Sequence, residues 1–272
     1  MPYPHNTTLS PRFRPLAYGL VSAVLVYLIG CAALFVFQRH LLYSPLPTST
    51  PSGKEHLNLP SQAGTSLVSV RNHDGPEALI YFGGNSEDVS FNMPSLSANF
   101  PNHAIYLLHY PGFGGSAGTP SEAAIFNDAL ALFDTVFAKH KQIIVIGGSL
   151  GSGVATYLAS RRSVRRLVLV TPFDSLQDIF ARKLPFVPIR WLMLDKFESS
   201  RYAQDVSAPT LLLVAANDEM IPLDSSQRLL KSFRPGIASL KKIDNADHNS
   251  TSNLRAIESA SDTFAGFTRS SL

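Results

Sequence analysis

The sequence predicts an α/β fold in which a mostly parallel sheet is covered by helices on both faces. Residues 78–82, 143–146 and 210–214 are continuous apolar runs, which is typical of strands buried on both faces. Between such runs apolar residues recur at helical spacing, most clearly over residues 121–139. The chain has 272 residues, of which 45% are hydrophobic, and this length is sufficient for one sizeable core. We therefore expect one α/β domain.

An uncharged segment precedes that domain. Residues 16–37 read LAYGLVSAVLVYLIGCAALFVF and contain no charged side chain. As a helix this segment would be roughly 33 Å long, enough to cross a hydrocarbon core of about 30 Å. The apolar run is longer than that of a cleaved signal peptide, so we predict a transmembrane anchor. Residues 28–31 also resemble a bacterial lipobox, and a lipoprotein that begins at a lipidated Cys31 is the alternative.

The segments around the anchor complete the predicted domain organisation. Residues 1–15 form a short N-terminal tail, residues 38–60 a linker that contains SPLPTSTPS, and residues 61–272 the α/β domain. The flanks of the anchor carry similar numbers of Arg and Lys residues, so the positive-inside bias is small. Because a very short tail suits a signal anchor with a cytoplasmic N-terminus, we expect the domain on the non-cytoplasmic side.

Strands and helices alternate along the predicted domain. The expected strands are residues 66–70, 78–82, 104–109, 143–146, 167–170, 210–214 and 239–243. The expected helices are residues 121–139, 151–160 and 225–233, with a further helix from residue 254. A helix between successive strands is the usual crossover of a parallel sheet. In such a sheet, functional groups gather at the carboxyl ends of the strands.

The composition argues against a nucleic-acid partner, a metal or a cofactor. The chain has 23 Lys and Arg residues against 20 Asp and Glu residues, a net charge of +3. Its densest basic group, residues 161–166, lacks the interleaved aromatic side chains of a nucleic-acid-binding surface. Cys31 is the single cysteine and cannot form an internal disulfide. The spacings typical of metal sites and of phosphate-binding glycine loops do not occur.

Two serines lie in a G-x-S-x-G pattern, which in hydrolases marks a nucleophile on a sharp turn between strand and helix. Ser149, in GGSLG, directly follows the strand predicted over residues 143–146 and opens a helix rich in small residues. Ser116, in GGSAG, is separated from its preceding strand by a loop of glycines and a proline. Because only the first context is a tight turn, Ser149 is the predicted nucleophile and Ser116 the weaker candidate.

A serine nucleophile needs a base, and that base needs an acid to hold its tautomer. If the nucleophile, the acid and the histidine follow one another along the chain in that order, His248 is the one possible base, because no other histidine follows Ser149. Asp218 follows the strand predicted over residues 210–214 and is the predicted acid. Asp174 and Asp195 are the rival acids.

The oxyanion of an acyl-transfer intermediate needs preorganised donors. One predicted donor is the backbone N–H of Leu150, the residue after the nucleophile. The other is the backbone N–H of Asn85, since Gly83 and Gly84 let the backbone after an early strand approach a substrate. A plain Gly-Gly turn is the alternative reading of that loop.

Several longer motifs together resemble the membrane-anchored α/β-hydrolases of the abhydrolase-domain type. They are FQRHLLYSP, YFGGNSEDV, YPGFGGSAGTPSE, GGSLGSGVA, TPFDS and NDEMIP. Relatives in that family include monoacylglycerol and lysophospholipid lipases and protein depalmitoylases. The resemblance implies an α/β-hydrolase fold, a triad of Ser149, Asp218 and His248, and oxyanion donors at Asn85 and Leu150.

Two positions depart from the family pattern. Gly83 stands where the family usually has histidine, which puts the preorganisation of the oxyanion loop in question. Pro111 stands where relatives often carry arginine, and we assign no consequence to it.

The predicted function is hydrolysis of carboxylic esters or thioesters of acyl or lipid substrates by a membrane-anchored serine hydrolase. Residues 180–197 are apolar, with two prolines and the only tryptophan. They are expected to form part of a short cap, about residues 175–205, that faces a membrane or an acyl chain. The alternatives are a serine peptidase or amidase with the same triad, and a non-catalytic scaffold.

Overall fold

The computed structural model describes residues 14–45, 55–62 and 64–248. In these residues the strands are β1 Glu55–Ser61, β2 Gly64–Arg71, β3 Glu77–Phe82, β4 Ala104–Leu108, β5 Gln142–Gly148, β6 Arg166–Val170, β7 Thr210–Asn217 and β8 Ala238–Asp247. The helices are α1 Arg14–Leu42, α2 Met93–Asn99, α3 Glu122–Lys139, α4 Leu150–Arg161, α5 Leu176–Lys183, α6 Ile189–Leu192, α7 Ser199–Ala203 and α8 Leu223–Ser232, with a 3-10 turn at Val89–Asn92.

All of these strands belong to one sheet, in the order β1-β2-β4-β3-β5-β6-β7-β8. The pairs β1–β2 and β2–β4 are antiparallel, and every later pair, from β4–β3 to β7–β8, is parallel. The predicted α/β class with a mostly parallel sheet is therefore confirmed. This order places the carboxyl ends of β3, β5, β6, β7 and β8 side by side at one edge of the sheet.

The two faces of the sheet bury separate cores. Along β3, Ile80 and Phe82 pack into one apolar cluster, while Leu79 and Tyr81 pack into the other. All four side chains are fully buried. Because successive side chains of a strand point to opposite faces, a strand covered on both sides must be apolar at every position. This requirement explains the uninterrupted apolar runs in the sequence.

Helix α1 differs from the other helices because most of its side chains are exposed. It has 29 residues, and it is long and apolar enough to cross a membrane. It continues past the predicted anchor boundary at residue 37 to Leu42, where Tyr43 is buried against the domain. The structure thus contains one candidate membrane span in the part of the chain that it describes.

The predicted strands and helices of the α/β domain agree with the structure within a few residues at each end. Strand β1 was not expected, and it begins at Glu55, inside the segment predicted as a linker. The predicted cap region holds three short helices, α5, α6 and α7. The helix expected from residue 254 lies outside the described residues.

Candidate active site

Ser149 lies on the sharp turn between β5 and α4, in a strained backbone conformation. Its φ and ψ are 48° and −117°, a combination that costs a non-glycine residue free energy and persists only where packing enforces it. A Cβ at Gly147 would lie 2.2 Å from the carbonyl oxygen of Gly151, and a Cβ at Gly151 would lie 2.1 Å from that of Phe82. Glycine is therefore required at both positions, as the G-x-S-x-G pattern predicts.

Three predicted site residues meet at the carboxyl edge of the sheet. The hydroxyl Oγ of Ser149 lies 3.0 Å from Nε2 of His248. The other ring nitrogen of His248, Nδ1, lies 2.8 Å and 3.0 Å from the two carboxylate oxygens of Asp218. The three residues follow β5, β8 and β7 respectively. They form a serine–imidazole–carboxylate chain with hydrogen-bond distances at both links.

The carboxylate of Asp218 is held by its own loop. Its Oδ1 accepts the backbone N–H groups of Met220 at 2.9 Å and Ile221 at 2.8 Å. The side chains of Asp218 and His248 are only 6% and 9% exposed. Two fixed donors and low exposure to water keep the carboxylate aimed at the imidazole.

Ser116, the weaker nucleophile candidate, is bound within its own loop. Its hydroxyl donates to the carbonyl oxygen of His109 at 2.8 Å and accepts the N–H of Leu67 at 2.8 Å. The ring of His109 faces another residue, Ser69, with Nε2 and Oγ 2.9 Å apart. Ser116 is also buried. These contacts indicate that Ser116 closes the loop onto β2.

The rival acids form ion pairs away from the imidazole. Asp174 is buried, accepts the hydroxyl of Ser225 at 2.5 Å and pairs with Arg228. Asp195 pairs with Arg39 of α1 at 2.9 Å. Among the described contacts of His248, Asp218 is the only carboxylate.

The loop after β3 is ordered by contacts that the sequence did not reveal. The hydroxyl of Tyr110 donates to the carbonyl oxygen of Gly83 at 2.8 Å, and the N–H of Gly84 donates to Glu87 at 2.5 Å. A Cβ at Gly83 would lie 2.4 Å from a methyl carbon of Val89. The glycine at position 83 is therefore demanded by packing, and the loop does not depend on a histidine there.

Glu87 is the residue that sequence reasoning missed. Its carboxyl accepts hydrogen bonds from Tyr81 at 2.8 Å, from Asn92 and from the backbone of Gly84. Burial raises the pKa of Glu87, and these three donors partly oppose that rise. An acidic residue in a loop carries no sequence signal of such surroundings, because only the fold brings the donors together.

The loop that carries one predicted oxyanion donor, Asn85, approaches the nucleophile. A Cβ at Gly84 would lie 3.6 Å from Cβ of Ser149, so the loop that carries Asn85 touches the turn that carries Leu150. Within the described residues, no acceptor takes the backbone N–H of Leu150 or of Asn85. Unpaired donors beside a nucleophile suit an oxyanion. No cluster of three potential metal ligands occurs in the described part of the chain.

The side chain of Asn85 joins this loop to the end of α1. Its Nδ2 donates to the carbonyl oxygen of Leu42 at 2.5 Å, and its Oδ1 accepts the N–H of Ser44 at 3.3 Å. The apolar helix therefore ends against the same loop that approaches Ser149.

Comparison with known proteins places this chain in a family. Residues 82–192 match the model of the alpha/beta hydrolase fold. An uncharacterized protein of Mycobacterium tuberculosis is 30% identical over 213 residues, which cover 71% of this chain and 74% of that protein. Protein bem46 of Schizosaccharomyces pombe is 25% identical over 248 residues, covering 78% of this chain and 80% of bem46. The chain belongs to the α/β-hydrolase family.

Two further similarities concern proteins with a described activity. The lysophosphatidylserine lipase ABHD12 of Macaca fascicularis is 34% identical over 182 residues, which are 58% of this chain but 45% of the lipase. The solved structure of the esterase Pf2001 of Pyrococcus furiosus has a TM-score of 0.67 and 15% identity, and it covers 84% of this chain and 98% of the esterase. That structure supports the fold alone, and the family resemblance inferred from the motifs is confirmed.

Proposed function

We propose that this protein is a serine hydrolase that cleaves carboxylic esters or thioesters through Ser149, His248 and Asp218. The observation that carries the proposal is the chain of contacts from Oγ of Ser149 through both nitrogens of His248 to the carboxylate of Asp218. A buried carboxylate in this position orients the imidazole and stabilises its protonated form. The contact between His248 and Ser149, which has a strained backbone, distinguishes this arrangement from a His–Asp pair that only stabilises the fold.

The mechanism follows from the geometry. Nε2 of His248 takes the proton of Ser149 as Oγ bonds to the acyl carbon, and the carbonyl electron pair moves to oxygen. The N–H groups of Leu150 and Asn85 stabilise that oxyanion. The oxyanion then reforms the carbonyl, the bond between the acyl carbon and the leaving oxygen or sulfur breaks, and His248 gives its proton to that leaving atom. The acyl group stays bonded to Oγ of Ser149 as the acyl-enzyme. Water, deprotonated by the same imidazole, releases the acid and restores Ser149.

We also propose that α1 anchors the enzyme in a membrane and that the substrate carries an acyl chain. The support for anchoring is the apolar, exposed helix, and the support for an acyl substrate is the likeness to a lysophosphatidylserine lipase. Placement of the domain on the non-cytoplasmic side, and lipidation of Cys31 as the alternative to a spanning helix, stay predictions. Mass spectrometry of the intact protein distinguishes the spanning anchor from the lipoprotein, since a mature N-terminus at Cys31 would exclude the anchor.

Labelling with a fluorophosphonate probe tests the nucleophile. The purified full chain in detergent is compared with Ser149→Ala and Ser116→Ala, and each variant is checked for folding by circular dichroism. We expect labelling of the wild type and of Ser116→Ala, and none of Ser149→Ala. Loss of labelling in Ser116→Ala alone would overturn the assignment. A folded wild type that does not label would favour the non-catalytic scaffold.

A further inference from the structure

A groove runs between helix α1 and the cap. The half-buried positions in the second half of α1 are Cys31, Leu34, Gln38 and Leu42, which recur every three or four residues and so define one face of the helix. That face lies against residues 184–194 of the cap. We call the space between them the anchor–cap groove.

Two neighbouring cavities make up the anchor–cap groove, and both include Leu34 and Leu41. The inner cavity ends at Leu42 and Met193, and the outer one continues along α1 to Cys31. The inner cavity is lined by aliphatic and aromatic side chains, with one exception, the amide of Gln38. That amide is occupied by the cap, because it donates to the carbonyl oxygen of residue 192 and accepts the N–H of residue 194. The outer cavity has His40 and Tyr27 in an otherwise apolar lining. The groove is therefore mainly apolar.

The inner end of the groove lies next to the loop that approaches the candidate active site. Leu42 lines the inner cavity, and its carbonyl oxygen accepts the side-chain N–H of Asn85. The neighbouring residue, Gly84, would place a Cβ 3.6 Å from Cβ of Ser149. An apolar chain in the groove would thus have its end at Leu42, which contacts the loop beside the nucleophile.

The outer end of the groove lies at the depth of the predicted membrane span. The hydroxyl of Tyr27 donates to the carbonyl oxygen of Phe186 at 2.8 Å. Tyr27 is ten residues before Phe37, the end of the uncharged run, which is roughly 15 Å along a helix and about half of a hydrocarbon core. A cap that contacts Tyr27 is therefore immersed in one leaflet when α1 spans the bilayer.

The surface of the cap fits that environment. Phe186 and Trp191 are 87% and 90% exposed, and large aromatic side chains so exposed mark an interaction surface when they are grouped. The only charged residue in positions 184–194 is Arg190, which pairs with Asp178 at 2.8 Å. Lipid tails would cover these aromatic side chains without leaving an unpaired charge.

We propose that the anchor–cap groove binds the acyl chain of an ester lipid taken from the bilayer that α1 spans, and that it delivers the ester group to Ser149. This inference rests on the proposed serine hydrolase function. The occupant is an acyl chain because the groove is mainly apolar, is open at membrane depth and ends at Leu42, which contacts the loop beside the nucleophile. The anchor is then part of the substrate-binding site as well as the attachment to the membrane.

Chain-length selectivity tests the proposal. The full chain is reconstituted in phosphatidylcholine nanodiscs, and kcat/KM is measured for p-nitrophenyl butanoate and p-nitrophenyl hexadecanoate. Leu34→Trp fills the groove, and we expect it to lower the ratio of the long-chain to the short-chain value about tenfold or more. Val36→Trp is the matched control, since Val36 is on the same helix, is exposed and lines neither cavity. Its ratio should equal that of the wild type.

Fluorophosphonate labelling separates failure of this inference from failure of the proposed function. If the wild type labels and Leu34→Trp leaves the ratio unchanged, the groove does not hold the acyl chain. If Leu34→Trp lowers both kcat/KM values equally, the groove supports the fold only and the inference is overturned. A wild type that does not label refutes the underlying hydrolase function instead.

Discussion

Replacing Asp218 with asparagine tests the triad sharply, because the surrounding backbone dictates how the new amide lies. Oδ1 accepts two backbone N–H groups, from Met220 and Ile221. An amide nitrogen cannot accept hydrogen bonds, so the asparagine oxygen takes the Oδ1 position and its NH₂ group takes the Oδ2 position. Of the two oxygens, Oδ2 is the nearer to Nδ1 of His248, at 2.8 Å against 3.0 Å for Oδ1. The new NH₂ group would therefore donate to that ring nitrogen.

The expected loss of activity follows from the tautomer that this contact imposes. A neutral imidazole that accepts at Nδ1 carries its proton on Nε2. Nε2 lies 3.0 Å from Oγ of Ser149, and it would then donate to the hydroxyl instead of removing its proton. Enforcing the wrong tautomer lowers kcat by about 10⁴-fold in a serine protease triad, which corresponds to about 5.4 kcal/mol of transition-state stabilisation. We expect Asp218→Asn to show a loss of this order.

Hydrolysis of p-nitrophenyl butanoate by the purified full chain measures kcat, and circular dichroism monitors the fold. Asp174→Asn is the matched control, because Asp174 is a buried carboxylate paired with Arg228. It should lower the Tm and retain most of the kcat. A folded Asp218→Asn enzyme within about tenfold of the wild-type kcat, a difference of about 1.4 kcal/mol, would refute the assignment of Asp218.

Three further predictions follow from packing, burial and exposure. Gly151→Ala places a Cβ 2.1 Å from the carbonyl oxygen of Phe82. Denaturant titration should therefore show a loss of about 1–3 kcal/mol in unfolding free energy. Labelling of Ser149 by the fluorophosphonate should also slow. Burial lowers the pKa of His109 to about 4, below its unfolded value of about 6.5. The stability that this neutral histidine contributes is present above about pH 6.5 and is lost as the pH falls towards 4. The wild type should lose on the order of 3 kcal/mol more than His109→Gln across that range. Trp191, the only tryptophan, should be strongly quenched in vesicles of brominated phosphatidylcholine. The control is the double variant Trp191→Phe with Phe137→Trp. Its single tryptophan is on α3, near the amino ends of the strands, and should not be quenched.

The fold and the meeting of Ser149, Asp218 and His248 were predictable because each rests on local signals. Uninterrupted apolar runs identify strands buried on both faces, and a tight strand-to-helix turn identifies the strained serine. Chain order then leaves one histidine, which follows the last strand. Strand β1, EHLNLPS, escaped prediction because an edge strand needs only a few buried positions, and here only Leu59 is fully buried.

Other features depend on contacts that only the folded chain makes. Glu87 lies in an ordinary acidic loop sequence, and its burial arises only when Tyr81 and Asn92 surround it. The contacts of α1 with the cap join residues more than 150 positions apart, such as Gln38 and Leu192. No local pattern encodes such pairs, since hydropathy predicts a long helix but not the surface against which it packs.

Asn85 links the candidate membrane span to the candidate active site. Its backbone N–H is a proposed oxyanion donor, while its side chain must donate to the carbonyl oxygen of Leu42 and accept the N–H of Ser44. Asparagine meets both demands, because an amide is donor and acceptor at once, whereas an ionised aspartate only accepts and alanine does neither. The last turn of α1 therefore helps to hold the loop beside Ser149. It follows that α1, the proposed membrane anchor, also contacts the loop that carries a proposed oxyanion donor.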